Sequence, residues 1–171
     1  MPESVSTADA GGRSASLQIL YERHVGRAVT LATILTGDPH AAEDIAHDCF
    51  VRVAARSGLF DREIRFEAYL QRAVVNACRS RFRRQSVERS FLAREPSIAS
   101  SPAPELALDI AVAAALRDLP DRQRAAIALR YLEDLSEEQT AQILRCSPRA
   151  VNALVSRALA SLRVRIEQEE S

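Results

Sequence analysis

Arg72, Asn76, Arg79 and Arg83 recur at i, i+4, i+7 and i+11, which on a helix makes one polar stripe about three turns long. Phe66, Tyr69 and Phe82 are interspersed nearby. A cationic track beside aromatic rings suits single-stranded nucleic acid, with guanidinium groups for phosphates and ring faces for unstacked bases. A second constellation, Arg149, Asn152 and Ser156 with Arg157 at the flank, has the residue types that read duplex DNA. Arg pairs with guanine O6 and N7, and Asn with adenine N6 and N7. A third group, His40, Glu43, Asp44, His47 and Asp48, lies at helical spacing. It has metal-ligating types, but no further ligand is supplied from elsewhere in the chain, so it reads as a solvated acidic face suited to docking a protein. No nucleophile and base arrangement, phosphate-cradling Gly loop or complete metal set is legible. The expectation is a non-enzyme that needs no cofactor.

The elements that must hold these groups are helices. Among 171 residues, 47% are apolar, there are five Gly, no Trp and eight aromatics, and Ala, Leu, Arg and Glu dominate over β-branched runs, so the fold class is all-α. Cys49, Cys78 and Cys146 are widely separated and not in CxxC spacing. They suggest neither a disulfide framework nor a zinc site. Net charge is zero, yet every basic residue is Arg, and residues 62–94 hold nine of them against Glu63, Glu67 and Glu88. Arg offers the bidentate phosphate and base recognition that Lys lacks. No apolar run approaches the roughly 18 residues of a membrane span, and Pro2, Glu3 and Asp9 do not make a signal peptide. A cytoplasmic protein without membrane insertion is expected.

Residues 1–15 have no periodicity and read as a disordered leader. The first domain, 16–85, opens with a helix whose inner face is Leu17, Leu20, His24, Ala28, Leu31 and Leu35 and which Gly37 stops. On that face His24 reads as a packed histidine. Asp38 and Pro39 start a second helix with Ala42, Ile45, Ala46, Cys49, Phe50 and Val53 inward. The third buries Leu70, Ala73, Val74 and Ala77 and carries the Arg stripe. Pro96, Pro102, Pro104 and the serines around them mark a flexible linker over 86–104. The second domain, 105–166, begins with a helix that Leu119 before Pro120 must end. A further helix over 121–132 leads into a helix-turn-helix, and a tail covers 167–171. Ser136 and Gln139 form a capping box for the first of its two helices, which ends near Leu144. Ser147 and Pro148 start the second, with Val151, Val155, Ala158 and Leu162 inward and Arg149, Asn152, Ala153 and Ser156 outward. A short turn, a buried stripe and an outward face led by Arg and Asn suit insertion into a major groove, although plain helical bundles also use such pairs.

Four phrases, AEDIAHDCFVRV (42–53), FEAYLQRAVVNACRSRFRR (66–84), LRDLPDRQRAAIALRYLEDLS (116–136) and CSPRAVNALVSRALASLR (146–163), together resemble bacterial sigma factors of the extracytoplasmic-function group. These are two-domain factors that bring RNA polymerase to promoters. The likeness runs from about 17 to 165. It implies that the helix with Glu43, Asp44, Asp48 and Arg52 docks on the clamp helices of core RNA polymerase. It implies that Tyr69, Arg72, Asn76, Arg79 and Arg83 recognise and melt the minus-ten element, and that Arg149, Asn152, Ser156 and Arg157 read the minus-thirty-five element as duplex. For many members it also implies an inhibitory anti-sigma protein. The chain departs from the family pattern in having Ala150, Asn152, Ala153 and Leu154 where Thr, Lys, Ser and Arg are frequent, Arg145 for a common turn Gly, and Tyr69 for Trp. With Ala150, Ala153 and Leu154 able to offer only apolar contacts, the expected upstream element is short and tolerant. The alternative reading is a stand-alone helix-turn-helix regulator of duplex DNA. It would need only the second domain and would leave the Arg72 to Arg83 stripe without a role. A sigma-like interaction module that has lost DNA reading is the remaining class.

Overall fold

The computed structural model describes residues 7–56, 63–91 and 110–169, and every described element is helical. The first domain comprises α1 (Thr7–Thr36), α2 (Pro39–Ala54) and α3 (Glu63–Phe91). Gly37 ends α1 in the left-handed region at φ +69°, with its N–H donated to Thr33 O at 2.8 Å, a conformation that costs glycine little. Asp38 then caps α2 by accepting the Ala41 N–H at 3.1 Å, and buried Pro39 opens the helix. Such a cap is worth about 1 kcal/mol. The inner faces meet in an aromatic cluster in which Phe50 stands edge-on to Tyr21 at 5.0 Å and to Phe66 at 5.3 Å. His24 is buried with its ring 5.7 Å from Phe66, the packed histidine that the spacing predicts.

The second domain comprises α4 (Ile110–Arg117), α5 (Asp121–Ile127), α6 (Glu137–Leu144) and α7 (Pro148–Glu169). A single helix is expected over 121–132, but α5 widens into a π turn over Ala128–Leu132, closed by Glu133 N–H to Ala128 O at 3.0 Å and Leu135 N–H to Leu129 O at 3.0 Å. The boundaries also move. α1 already runs from Thr7, so residues 7–15 are helix where a disordered leader is expected, while 1–6 lie outside the described residues. α3 continues to Phe91, six residues into the expected linker, because packing has already nucleated the element and neither Gly nor Pro interrupts residues 86–91. The proline-rich remainder of that linker, with Leu106, lies outside the described residues. α7 extends to Glu169, into the expected tail.

The two domains do not stand apart. Leu129, Leu144, Ile143, Ala125, Ala126 and Ala128 of the second domain belong to the same buried apolar cluster as Leu31, Leu35, Phe66, Leu70 and Val74 of the first. Polar groups cross the same boundary. Glu133, only 5% exposed, accepts from Gln71 Nε2 at 2.7 Å and pairs with Arg27 Nη2 at 3.3 Å. Arg124, also buried, donates to Leu35 O at 2.8 Å from one arm and to Leu119 O at 3.1 Å and Asp121 at 3.2 Å from the other. Its guanidinium carbon lies 5.6 Å from the Phe82 ring centre, within cation–π range. At Gly37 a β-carbon would come within 3.1 Å of the Arg117 stem, so the glycine that ends α1 is also a seat for the second domain. No described helix is long and apolar enough to cross a membrane.

Candidate nucleic-acid interface

The long third helix presents its outer side beside α2, and the two together wall a groove of about 840 Å³. Tyr69, Arg72 and Asn76 line it from α3, Asp48, Arg52 and Arg56 from α2 and the turn that follows it, and Arg145 from the α6–α7 turn. Tyr69 is 43% exposed, so its ring face is available for stacking. Arg52 is steadied along α2 by donation from Nε to Asp48 O at 3.3 Å. The groove is thus cationic and contains a ring, a combination able to hold a sugar-phosphate strand and accept an unstacked base.

The stripe read from sequence is only partly assembled. Arg79 and Arg83 are not among the lining residues, whereas Arg81, Arg84, Ser80 and Gln85 are. The groove follows the line where α2 abuts α3 and therefore selects a slightly different phase of the helix. Arg81 is held by Asp38 at 3.3 Å, the same carboxylate that caps α2. Two of the three aromatic rings do not serve stacking. Phe66 is fully buried in the core, and Phe82 lies under the Arg124 guanidinium. Arg52 and Asp48, expected to face polymerase, also line the groove that holds the DNA-type residues. Asp48 also borders a second, smaller depression between α1 and α2, lined by Tyr21, Val25, Val29, Glu43, Asp44 and His47. That depression pairs an apolar floor with an acidic rim, and His40, Glu43, Asp44 and His47 are exposed. Among the described residues no group of three or more His, Cys, Asp and Glu converges on a metal position.

In the second domain the helix-turn-helix forms from local signals. Ser136 accepts the Gln139 N–H at 3.2 Å while the Gln139 side chain accepts the Ser136 N–H at 2.8 Å. Arg145 ends α6 at φ +53°, the left-handed conformation that favours glycine. Ser147 Oγ then accepts the Ala150 N–H at 3.2 Å and Pro148 opens α7. Val151 and Ala158 are completely buried, with Val155 and Leu162 packed beside them. Arg149, Asn152, Ser156 and Arg157 are exposed on the other side. Leu154 is partly buried and packs against the main apolar cluster.

The exposed readers are not idle. Asn152 Nδ2 donates to Glu137 Oε1 at 3.2 Å, its Oδ1 accepts from Ser156 Oγ at 3.4 Å, and Arg157 Nε donates to Ala153 O at 3.2 Å. An adenine would need both polar ends of the Asn152 amide, so these two hydrogen bonds must be exchanged on binding. Among the groups sequence reasoning missed are Glu133, Arg124 and Arg145. Burial holds the Glu133 carboxyl above its usual value, against the downward pull of Gln71 and Arg27. The buried thiols respond in the same direction, with Cys49 raised by desolvation and Cys78 pushed up to about 12, so both pack as small apolar groups.

A chain whose described elements are all helices, with a cationic, ring-bearing groove on one domain and an exposed Arg/Asn helix face on the other, has the make-up of a factor that meets DNA both as separated strand and as duplex. Comparison with known proteins agrees. Residues 20–88 match the Sigma-70 region 2 family and residues 109–162 match Sigma-70, region 4. The RNA polymerase sigma-E factor of Streptomyces avermitilis is 30% identical over 138 residues, covering 80% of this chain and 76% of that protein. The ECF RNA polymerase sigma factor SigM of Mycobacterium tuberculosis is 29% identical over 153 residues, covering 90% and 78%. Among solved structures, a chain in the complex of the sigma factor RpoE with the anti-sigma factor NepR from Bartonella quintana superimposes with a TM-score of 0.70. It has 24% identity and covers 86% of this chain and 94% of that one, which shows a shared fold. The chain belongs to the extracytoplasmic-function group of RNA polymerase sigma factors.

Proposed function

We propose that this sigma factor distributes promoter initiation over three faces of the chain. It directs core RNA polymerase to promoters and adds no catalytic step of its own, and acting on that enzyme places it in the cytoplasm. The exposed acidic rim of α2, with Glu43, Asp44 and Asp48, docks on basic residues of the polymerase clamp. The groove lined by Tyr69, Arg72 and Asn76 holds the opened minus-ten strand, with Arg79 and Arg83 gripping phosphate beyond its edge. Arg149 and Asn152 read the minus-thirty-five duplex, with Ser156 a weaker reader and Arg157 on phosphate. An anti-sigma protein would act by covering one of these faces.

The observation that carries this reading is the groove itself. A stand-alone duplex regulator has no use for a 43%-exposed tyrosine set among arginines on the domain that lacks the helix-turn-helix. The test is run-off transcription from genomic fragments with core polymerase, with and without the chain. Discrete start sites dependent on the chain are expected. A folded chain that neither co-elutes with core enzyme nor yields specific starts overturns the proposal in favour of the duplex regulator.

A further inference from the structure

We propose that Glu137 is a third base reader of the duplex-binding face, its carboxylate selecting a cytosine in the base pair next to the adenine read by Asn152. The inference rests on the reading of α7 as the helix that meets the minus-thirty-five duplex.

Glu137 is the first residue of α6, the helix of the pair that crosses the DNA backbone rather than entering the groove. Its side chain nevertheless leans across to the reading face. Glu137 Oε1 accepts from Asn152 Nδ2 at 3.2 Å, although the two residues are 15 apart in sequence. The capping box of Ser136 and Gln139 fixes the backbone from which Glu137 extends. Glu137 is partly exposed and Asn152 and Ser156 are exposed, so carboxylate and amide are presented together. Their separation matches the rise of about 3.4 Å between successive bases of one strand. Two groups so spaced can address neighbouring base pairs.

The choice of base follows from what binding displaces. When the Asn152 amide turns both ends to adenine, the Glu137 carboxylate loses its donor. A carboxylate can only accept. The major groove offers it the exocyclic amines of cytosine and adenine, whereas guanine O6 and N7 and thymine O4 are acceptors that leave it unpaired. Cytosine is the better match, because its edge carries the N4 donor without the N7 acceptor that adenine sets beside its amine. A negative group on a face that approaches phosphates also weakens binding to every sequence by repulsion. Glu137 therefore acts mainly by rejection: it adds little to total affinity and penalises the wrong base pair.

Upstream elements are selected from a randomised duplex by holoenzyme carrying the parent chain, Glu137→Ala, Glu137→Arg or Asn152→Ala. The Asn152→Ala variant marks the adenine position by erasing its preference. At the adjacent position the parent should favour cytosine about tenfold over guanine or thymine, within the range that one direct base contact supplies. Glu137→Ala should erase that preference while binding all duplexes at least as tightly, a combination that loss of a merely structural contact does not produce. Glu137→Arg should turn the preference to guanine. If circular dichroism shows that either variant fails to fold, Glu137→Gln, of the same shape, should move the preference to adenine. An adjacent position left unchanged by a folded variant overturns the proposal. A loss confined to the adenine position also overturns it, and makes Glu137 a support for Asn152 alone. If the parent holoenzyme selects no upstream element, the duplex reading of α7 falls and takes this proposal with it.

Discussion

The groove beside α3 and the outer face of α7 both present arginine and an amide, but they are made differently. The groove is concave and is assembled from α2, α3 and the α6–α7 turn, so its members are far apart in sequence. The α7 face is convex and comes from a single helix that starts at Ser147 and Pro148. A surface assembled by tertiary packing can enclose a flexible strand and surround one base. A surface carried by one helix can only be inserted into a structure that is already regular. The difference teaches that the strand-holding face depends on the core of its domain, whereas the duplex-reading face depends on caps and on which side chains protrude.

The largest effect should come from breaking the support of the groove. Phe66 is fully buried at the junction of Phe50 and His24, so Phe66→Ala should destabilise the chain by about 3–5 kcal/mol. Urea unfolding measures this. A loss below 1 kcal/mol would mean that the groove does not depend on the aromatic cluster. Next comes the ring that does face outward. Tyr69→Ala should reduce promoter opening by about 1–3 kcal/mol, the worth of one stacked base, while polymerase binding is retained. Permanganate reactivity of the opened strand compares the two, and equal footprints would remove Tyr69 from the groove's function.

On α7 the effects should be confined to single positions. Arg149→Ala should relax preference at one base pair by roughly 1–3 kcal/mol, as read by selecting a randomised upstream element with the holoenzyme. An enriched site with many strictly specified positions would show that the helix reads DNA by contacts other than Arg149 and Asn152. The smallest effect is expected of Arg157→Ala, which should weaken all sequences about equally and lower the salt slope by about 1. A changed base preference would turn Arg157 from a phosphate contact into a reader.

The same contrast explains what could be read in the sequence. Caps and helix stops are local: Asp38 with Pro39, Gly37, the Ser136 and Gln139 box, and Ser147 with Pro148 all occur where the spacing places them. The inward stripe of α7 was equally legible because one helix fixes it. The groove was not, because helical periodicity tells which residues share a side but not where a neighbour will abut. That abutment brought in Arg81 and Arg84 in place of Arg79 and Arg83, and committed Phe66 and Phe82 to other partners. The extension of α3 to Phe91 was hidden for another reason: the polar residues that dominate 86–91 leave little apolar periodicity to detect. Glu133 and Arg124 carry no sequence sign of burial, since their partners are 62 and 89 residues away.

The π turn over Ala128–Leu132 has a consequence for the history of the chain. Such a turn amounts to one residue inserted into an α-helix, and each residue of an α-helix advances the side-chain direction by about 100°. Removing one residue between 128 and 132 would let the helix run on regularly, yet it would rotate Glu133 relative to α5 and swing it out of line with Gln71 and Arg27. The insertion and the cross-domain pairing are therefore inherited together: a lineage that loses the extra residue must also lose the contact, whatever amino acid it keeps at the position of Glu133.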